Sequence, residues 1–315
     1  FVNGGNDLTQ LAPKFELTQG ATIEPASGTV RNFMTPQTYT VTSEDRQWKK
    51  QYKVSFISED VATEYHFENI KWHEAKRSPD DAETTKFFHI FYELTAPKDT
   101  MEWGSGNAGF LITNSKAKAE EYPTSQADGG LKGKCAKLQT VSTGSFGKMV
   151  NAPIAAGNLF TGTFKIDIMN PAKSTRFGQP FRKLPTRLAG YYKYKAGAVF
   201  TDKYSKEVKG MHDDFAIYAV LYEVTEQVPH LDGTNSLTSD NIVLKAELTD
   251  RKETDTWTHF LLDFKAVDGR KVDAKKLAEG KYNLAIIMSS SKDGAIFNGA
   301  VGSTLYVDEM ELYYK

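Results

Sequence analysis

Phe87-Phe88-His89-Ile90-Phe91-Tyr92-Glu93-Leu94 is the stretch that decides the fold. Written as an extended chain, it puts Phe88, Ile90, Tyr92 and Leu94 on one side and Phe87 and Phe91 on the other. A strand apolar on both faces is expected to be covered on both faces. Phe215-Ala216-Ile217-Tyr218-Ala219-Val220-Leu221-Tyr222 repeats the pattern downstream. Ile242–Leu248, Trp257–Phe264, Tyr282–Met288 and Thr304–Tyr314 read as further strands, and Phe164, Ile166 and Ile168 alternate with polar residues as a half-exposed one. Only Asp273–Glu279, closed by Gly280, reads as a helical turn or two. No period of roughly 40 residues repeats, which argues against a propeller; a two-sheet jelly roll fits best.

Toward the N-terminus the strands shorten. Phe1–Asp7 is Gly/Asn-rich and reads as a linker, Thr38–Thr42 alternates, Ser43-Glu44-Asp45-Arg46 is a turn, and Gln51–Phe56 returns as a strand. The expectation is an all-β chain with a small β-sandwich over 1–60 and a larger jelly roll over 61–315, divided after Ser58-Glu59-Asp60. The connections Lys116–Gly130 and Asn170–Leu188 read as long loops, where sites are commonly built.

Composition narrows the function. The 315 residues are 40% hydrophobic and 25% charged, a globular balance. Lys+Arg 39 against Asp+Glu 40 gives a net charge of -1, without the positive surplus that nucleic-acid binding requires. No apolar run approaches the roughly 18 residues of a membrane-spanning helix. A single cysteine, Cys135, excludes an internal disulfide and a multi-cysteine metal site. The chain starts at Phe1 with neither an initiator Met nor a signal-like apolar stretch, so a processed or trimmed chain that has lost its targeting segment is expected.

Familiar catalytic motifs are missing. Gly144-Ser145-Phe146-Gly147 lacks nucleophile-elbow spacing and reads as a turn. Gly299-Ala300-Val301-Gly302-Ser303-Thr304 has no Lys and opens a strand, unlike a phosphate loop. The six histidines show no zinc-ligand spacing. Glycoside hydrolysis would need two carboxylates about 5–10 Å apart, and Asp167, Asp214 and Glu223 are the candidates.

Asp308 shares a strand face with Tyr306, Met310 and Leu312. A buried acid there needs a salt bridge, a loop-backbone hydrogen bond, or a structural calcium shared with an early acid such as Glu68. Aromatic rings beside polar groups suggest a sugar site, because C–H faces stack on rings while polar side chains take hydroxyls. Trp103, Tyr192 and Tyr194 are the expected stacking surfaces, with Asn107, Lys193, Ser289 and Ser291 as hydroxyl partners.

Phe181-Arg182-Lys183-Leu184-Pro185 leading to Gly190-Tyr191-Tyr192-Lys193-Tyr194, with Ala156-Gly157-Asn158-Leu159-Phe160-Thr161-Gly162 upstream, resembles the putative carbohydrate-metabolism domain family of Bacteroidetes. Ser289-Ser290-Ser291-Lys292-Asp293-Gly294 and Gly299–Glu309 extend the resemblance over roughly residues 65 to 315. Ala21–Thr29 and Tyr39–Asp45 are similar to Ig-like modules of exported Bacteroidetes proteins. The resemblance implies a jelly roll related to carbohydrate-binding modules, a glycan-linked role, and an exported cell-envelope location, in the periplasm or as an outer-membrane lipoprotein with its lipid anchor on the missing N-terminal segment. It carries over no catalytic pair. Val307-Asp308-Glu309-Met310-Glu311-Leu312 is similar to the closing strand of carbohydrate-binding jelly rolls, where the acid often holds calcium, although Glu309 replaces their second Asp. The resulting expectation is a protein that binds an oligosaccharide or polysaccharide without transforming it. A glycoside hydrolase and a structural or adhesion module are the alternatives.

Overall fold

The computed structural model describes residues 8–33, 35–54, 61–96, 99–167 and 169–315. The linker expected over Phe1–Asp7, the end of the strand at Ser55-Phe56, the boundary Ser58-Glu59-Asp60 and Ile168 lie outside them. The chain forms two compact units, 1–60 and 61–315. In the first, β1 (Thr22–Glu24), β2 (Gln37–Thr42) and β3 (Lys49–Val54) pair antiparallel in that order. Tyr39, buried between Phe15 and Phe33, anchors it.

The second unit continues with β4 (Glu64–Tyr65), β5 (Ile70–Ala75), β6 (Thr85–Ala96), β7 (Asp99–Gly104), β8 (Thr124–Asp128), β9 (Lys134–Gln139), β10 (Val141–Ser142), β11 (Ile154–Ala155) and β12 (Asn158–Phe164). Then follow β13 (Thr175–Phe177), β14 (Gln179–Pro180), β15 (Pro185–Lys195), β16 (Phe200–Thr201), β17 (Ala216–Glu223) and β18 (Ile242–Glu247). The last strands are β19 (Thr254–Asp263), β20 (Lys265–Ala266), β21 (Tyr282–Ser289), β22 (Gly299–Ala300) and β23 (Thr304–Tyr314). The short helices are α1 (Asn107–Thr113), α2 (Gly144–Met149) and α3 (Ala274–Ala278).

A ten-stranded sheet runs β20-β18-β17-β21-β12-β7-β6-β5, with β13 on β12 and β14 on β21. A six-stranded sheet runs β19-β15-β23-β9-β8, with β4 on β23. The fold is therefore all-β, and one core joins both sheets as a β-sandwich: Ile217, Leu221, Ile286 and Met288 from the first meet Leu188, Tyr192, Leu305 and Val307 from the second. The alternate residues Tyr218, Val220, Tyr222, Ala285 and Ile287 are buried in a second cluster on the opposite face of the ten-stranded sheet. Its central strands are thus covered on both sides, which explains their continuous apolar sequence. Phe87, Phe88 and Phe91 are buried likewise, whereas Leu94, near the end of its strand, is exposed.

Three local readings are corrected. The 116–130 and 170–188 segments hold β8, β13, β14 and the start of β15 rather than unstructured loops. Gly144-Ser145-Phe146-Gly147 opens α2 instead of making a turn between strands. The expected strand through Ile166 stops at Phe164. The helix at 273–279 is present, its Asp273 side chain capping the backbone N–H groups of Lys275 and Lys276.

Candidate functional site

The rings nominated from the sequence are core residues, which corrects that reading. Trp103 is 3% exposed and packs edge-on to Tyr65 at 5.2 Å. The glycine that follows it serves close packing: a Cβ on Gly104 would meet the Phe160 ring at 2.4 Å. Tyr192 and Tyr194 are buried against Phe215, with centroids 4.9 and 4.6 Å away. Lys193 points to the other face, between Trp257 at 4.4 Å and Tyr306 at 5.1 Å. Asn107 is fully buried; its amide donates to the Thr124 carbonyl at 2.7 Å and accepts from the Thr124 N–H at 3.1 Å.

The acids expected to share calcium are spent on the backbone. Asp308 is buried and accepts from the N–H of Lys132 at 3.1 Å and of Glu309 at 2.9 Å. Burial raises its pKa to about 6, with those backbone N–H groups opposing the shift. Glu68 accepts from the Lys134 N–H at 2.9 Å. Among the described residues, no group of three His, Cys, Asp or Glu is placed to hold a metal ion. Glu309 is a non-glycine residue with φ 46° where the β15–β23 register shifts, a bulge. Burial would raise its pKa, but Lys132 at 2.7 Å and His66 at 2.9 Å outweigh that and hold it low.

Nor do the three candidate catalytic acids form one group. Asp214 precedes β17 and Glu223 ends it, so about 23 Å of strand lies between them at about 3.3 Å per residue. That exceeds any hydrolytic pair separation. Glu223 is ion-paired with Lys276 at 2.6 Å. Asp214 accepts from Arg251 Nε at 2.7 Å. Asp167 accepts from the Asn170 N–H at 2.8 Å.

A hollow of about 670 Å³ opens on the face of the ten-stranded sheet turned away from the main core. This lies within the range of about 300–1,000 Å³ typical of small-ligand sites. Its floor is two rungs of the sheet. One runs Glu247–Tyr218–Ile287 across β18, β17 and β21; the other runs Ala216–Ser289–Asn158 across β17, β21 and β12. Cross-strand neighbours share a face, so the floor follows directly from the register. Over β17 and β18 the wall is polar, with Arg251, Lys292, Glu247 and the Tyr218–Ser236 hydroxyl pair at 2.8 Å. Over β12 it is apolar: Phe164 ends that strand beneath Gly109 of α1, and α2, which touches α1, adds Phe146 and Val150. Asp167 and Ser289 line the hollow, and Asp214 reaches it through Arg251.

Beside the hollow, Asp213 fixes the turns. Its Oδ2 accepts from the Ser291 hydroxyl at 2.5 Å, the Ser303 hydroxyl at 2.6 Å and the Ala300 N–H at 2.7 Å, while Oδ1 accepts from the Asp214 N–H at 2.9 Å. Ser291 is therefore a buried structural residue and not the sugar contact expected of it. Its chain neighbours Lys292 and Asp293 line the hollow, so the hub sets that wall. Sequence reading missed Phe164, Phe146, Tyr218 and Arg251. The available signal was Phe146-Gly147-Lys148-Met149-Val150, apolar residues in a segment lacking strand alternation.

Residues 66–313 match the family model "putative carbohydrate metabolism domain", and residues 1–56 match "SGBP, N-terminal". A crystal structure of a putative glycoside hydrolase from Bacteroides thetaiotaomicron is 50% identical, with a TM-score of 0.80 over 100% of this chain and 89% of that one. A second, of a putative glycoside hydrolase from Bacteroides vulgatus, is 41% identical, with a TM-score of 0.72 over 80% of this chain and 98% of that one. Among curated proteins nothing matches. In its β-sandwich, its extent and its kinship to these structures, the chain belongs to the putative carbohydrate metabolism domain family, and its function is carbohydrate-related.

Proposed function

We propose that the hollow on the ten-stranded sheet binds a carbohydrate, and that the protein captures glycan at the cell envelope. One observation carries the reading: in a carbohydrate-metabolism domain, a site-sized hollow sets Phe rings against Arg251, Lys292, Glu247 and a row of hydroxyls. The Phe164 ring at the end of β12 supplies a flat apolar face for sugar C–H groups, and the polar wall supplies donors and acceptors for hydroxyls. An exported location fits the N-terminal match and the Bacteroides relatives. Among the described residues no helix is long and apolar enough to cross a membrane.

A glycan array tests this, followed by titration of the best ligand against Arg251→Ala. The expected result is retention of at least one glycan and roughly tenfold weaker binding by the variant, the loss of one charge-assisted hydrogen bond. A folded protein that retains nothing refutes the reading. Hydrolysis is the second reading, favoured because Asp167, Glu247 and Asp293 line the same hollow. Release of reducing ends from the retained glycan, abolished by Asp167→Asn, would select it.

A further inference from the structure

We infer that the ligand of this hollow is amphipathic: a sugar carrying an apolar aglycone, with the sugar against Arg251 and Lys292 and the aglycone along α1 and α2. The inference rests on the carbohydrate reading of the same hollow and names its ligand class. Three observations carry it. First, the polarity of the hollow is divided by strand order. Arg251, Lys292 and Glu247 stand over β17 and β18, the helices over β12 with Asp167 just past its end, and three strand spacings, about 14 Å, separate the outer strands. Second, the apolar side is open to water. Ile112, Phe146, Val150, Ile166 and Met169 line the hollow and are between 43% and 87% exposed. Apolar side chains gathered around one opening mark a binding surface, whereas scattered ones do not. Third, four of those five are branched or flexible aliphatics. A sugar ring stacks on flat faces, and these side chains offer none; an alkyl or similar apolar group packs against them as core side chains pack against each other. A free glycan would fill the polar half and leave this rim wet.

The experiment is calorimetric titration of the full chain with methyl and octyl β-glucosides and β-galactosides, kept below micellar concentration. Octyl tetra(ethylene glycol) serves as the sugar-free control. Each buried methylene strengthens binding about fourfold, so three or four buried methylenes make the octyl glycoside about 100-fold tighter than its methyl counterpart. The octyl glycoside should also exceed the sugar-free control. Phe146→Ser and Ile112→Thr replace exposed side chains, so folding is unaffected. Each should weaken octyl glycoside binding about tenfold and leave methyl glycoside binding unchanged. Equal affinity for methyl and octyl glycosides overturns this inference and leaves the carbohydrate reading standing. A control that binds as tightly as the glycosides overturns both. A protein that is dimeric and becomes monomeric with Phe146→Ser assigns the rim to a second copy of the chain, and the inference falls.

Discussion

Asp213→Asn is the sharpest test of how the sequence holds the hollow in place. The carboxylate serves four donors, three of them on Oδ2. The asparagine amide has one oxygen. If that oxygen faces Ser291, Ser303 and the Ala300 N–H, the new NH2 is set against the Asp214 N–H, donor to donor. A hydrogen bond to a charged group contributes about 1.5–3 kcal/mol and a neutral one about 1. Three bonds that lose their charge assistance therefore cost about 2 kcal/mol together, and the stranded buried N–H adds about 1 more. The sum is about 3 kcal/mol, or roughly 6–12 °C in Tm for a unit of this size. Asp213→Ala strands all four donors and should cost more. Urea unfolding with Tm measured in parallel reads the loss, and Ser303→Ala in both backgrounds reads the coupling through a double-mutant cycle. A variant that melts within about 2 °C of the parent would refute the reasoning. So would a cycle with no coupling, because then the hub does not hold the Ser291–Asp293 turn against the sheet.

Glu93, nearly fully buried, has its pKa raised to about 7 by desolvation, against the opposing N–H of Phe67 at 3.0 Å. Its folded pKa exceeds the ordinary value of 4.5, so its contribution is fully present below that pH and is lost as pH rises through 7. The parent should lose about 2 kcal/mol from this group between pH 5.5 and 8, and Glu93→Gln should flatten that slope; parallel slopes in urea titrations count against it. Trp103→Ala should destabilise by about 3–5 kcal/mol as a core truncation. Glycan retention lost without any loss of stability would return Trp103 to the site. Gly104→Ala should destabilise by at least about 1–3 kcal/mol, since the Phe160 ring must move; an unchanged melt would show that the ring yields freely.

The fold was largely legible because the strands obey period two. Tyr218, Val220 and Tyr222 separate from Ile217, Ala219 and Leu221 onto opposite covered faces, as the unbroken apolar run implied. The same parity sorts Tyr191 and Lys193 outward and Tyr192 and Tyr194 inward along β15. Which parity faces the core, however, is set by register against β19 and β23, partners 50 or more residues away. Four consecutive polar-tipped residues carry no mark of that choice, so Tyr192 and Tyr194 read as ligand contacts although they belong to the interior.

The site was less legible for a different reason. Its floor is built from rungs whose members come from β18, β17, β21 and β12, and no segment of the sequence contains more than a few of them. Its apolar wall depends on two helices of seven and six residues, too short to display amphipathic periodicity. What the sequence did offer was Asp167 and Ser289, residues at the ends of alternating runs, and both line the hollow. Tyr192 and Tyr194, inside a run, lie in the core, and so does Trp103, which pairing places inside β7. Side chains within a paired strand must serve one face or the other, while those where pairing ends are free to turn toward a ligand. In a sandwich of this kind, candidate contacts are therefore better sought where alternation breaks, at Phe164 and Lys292, than where it is strongest.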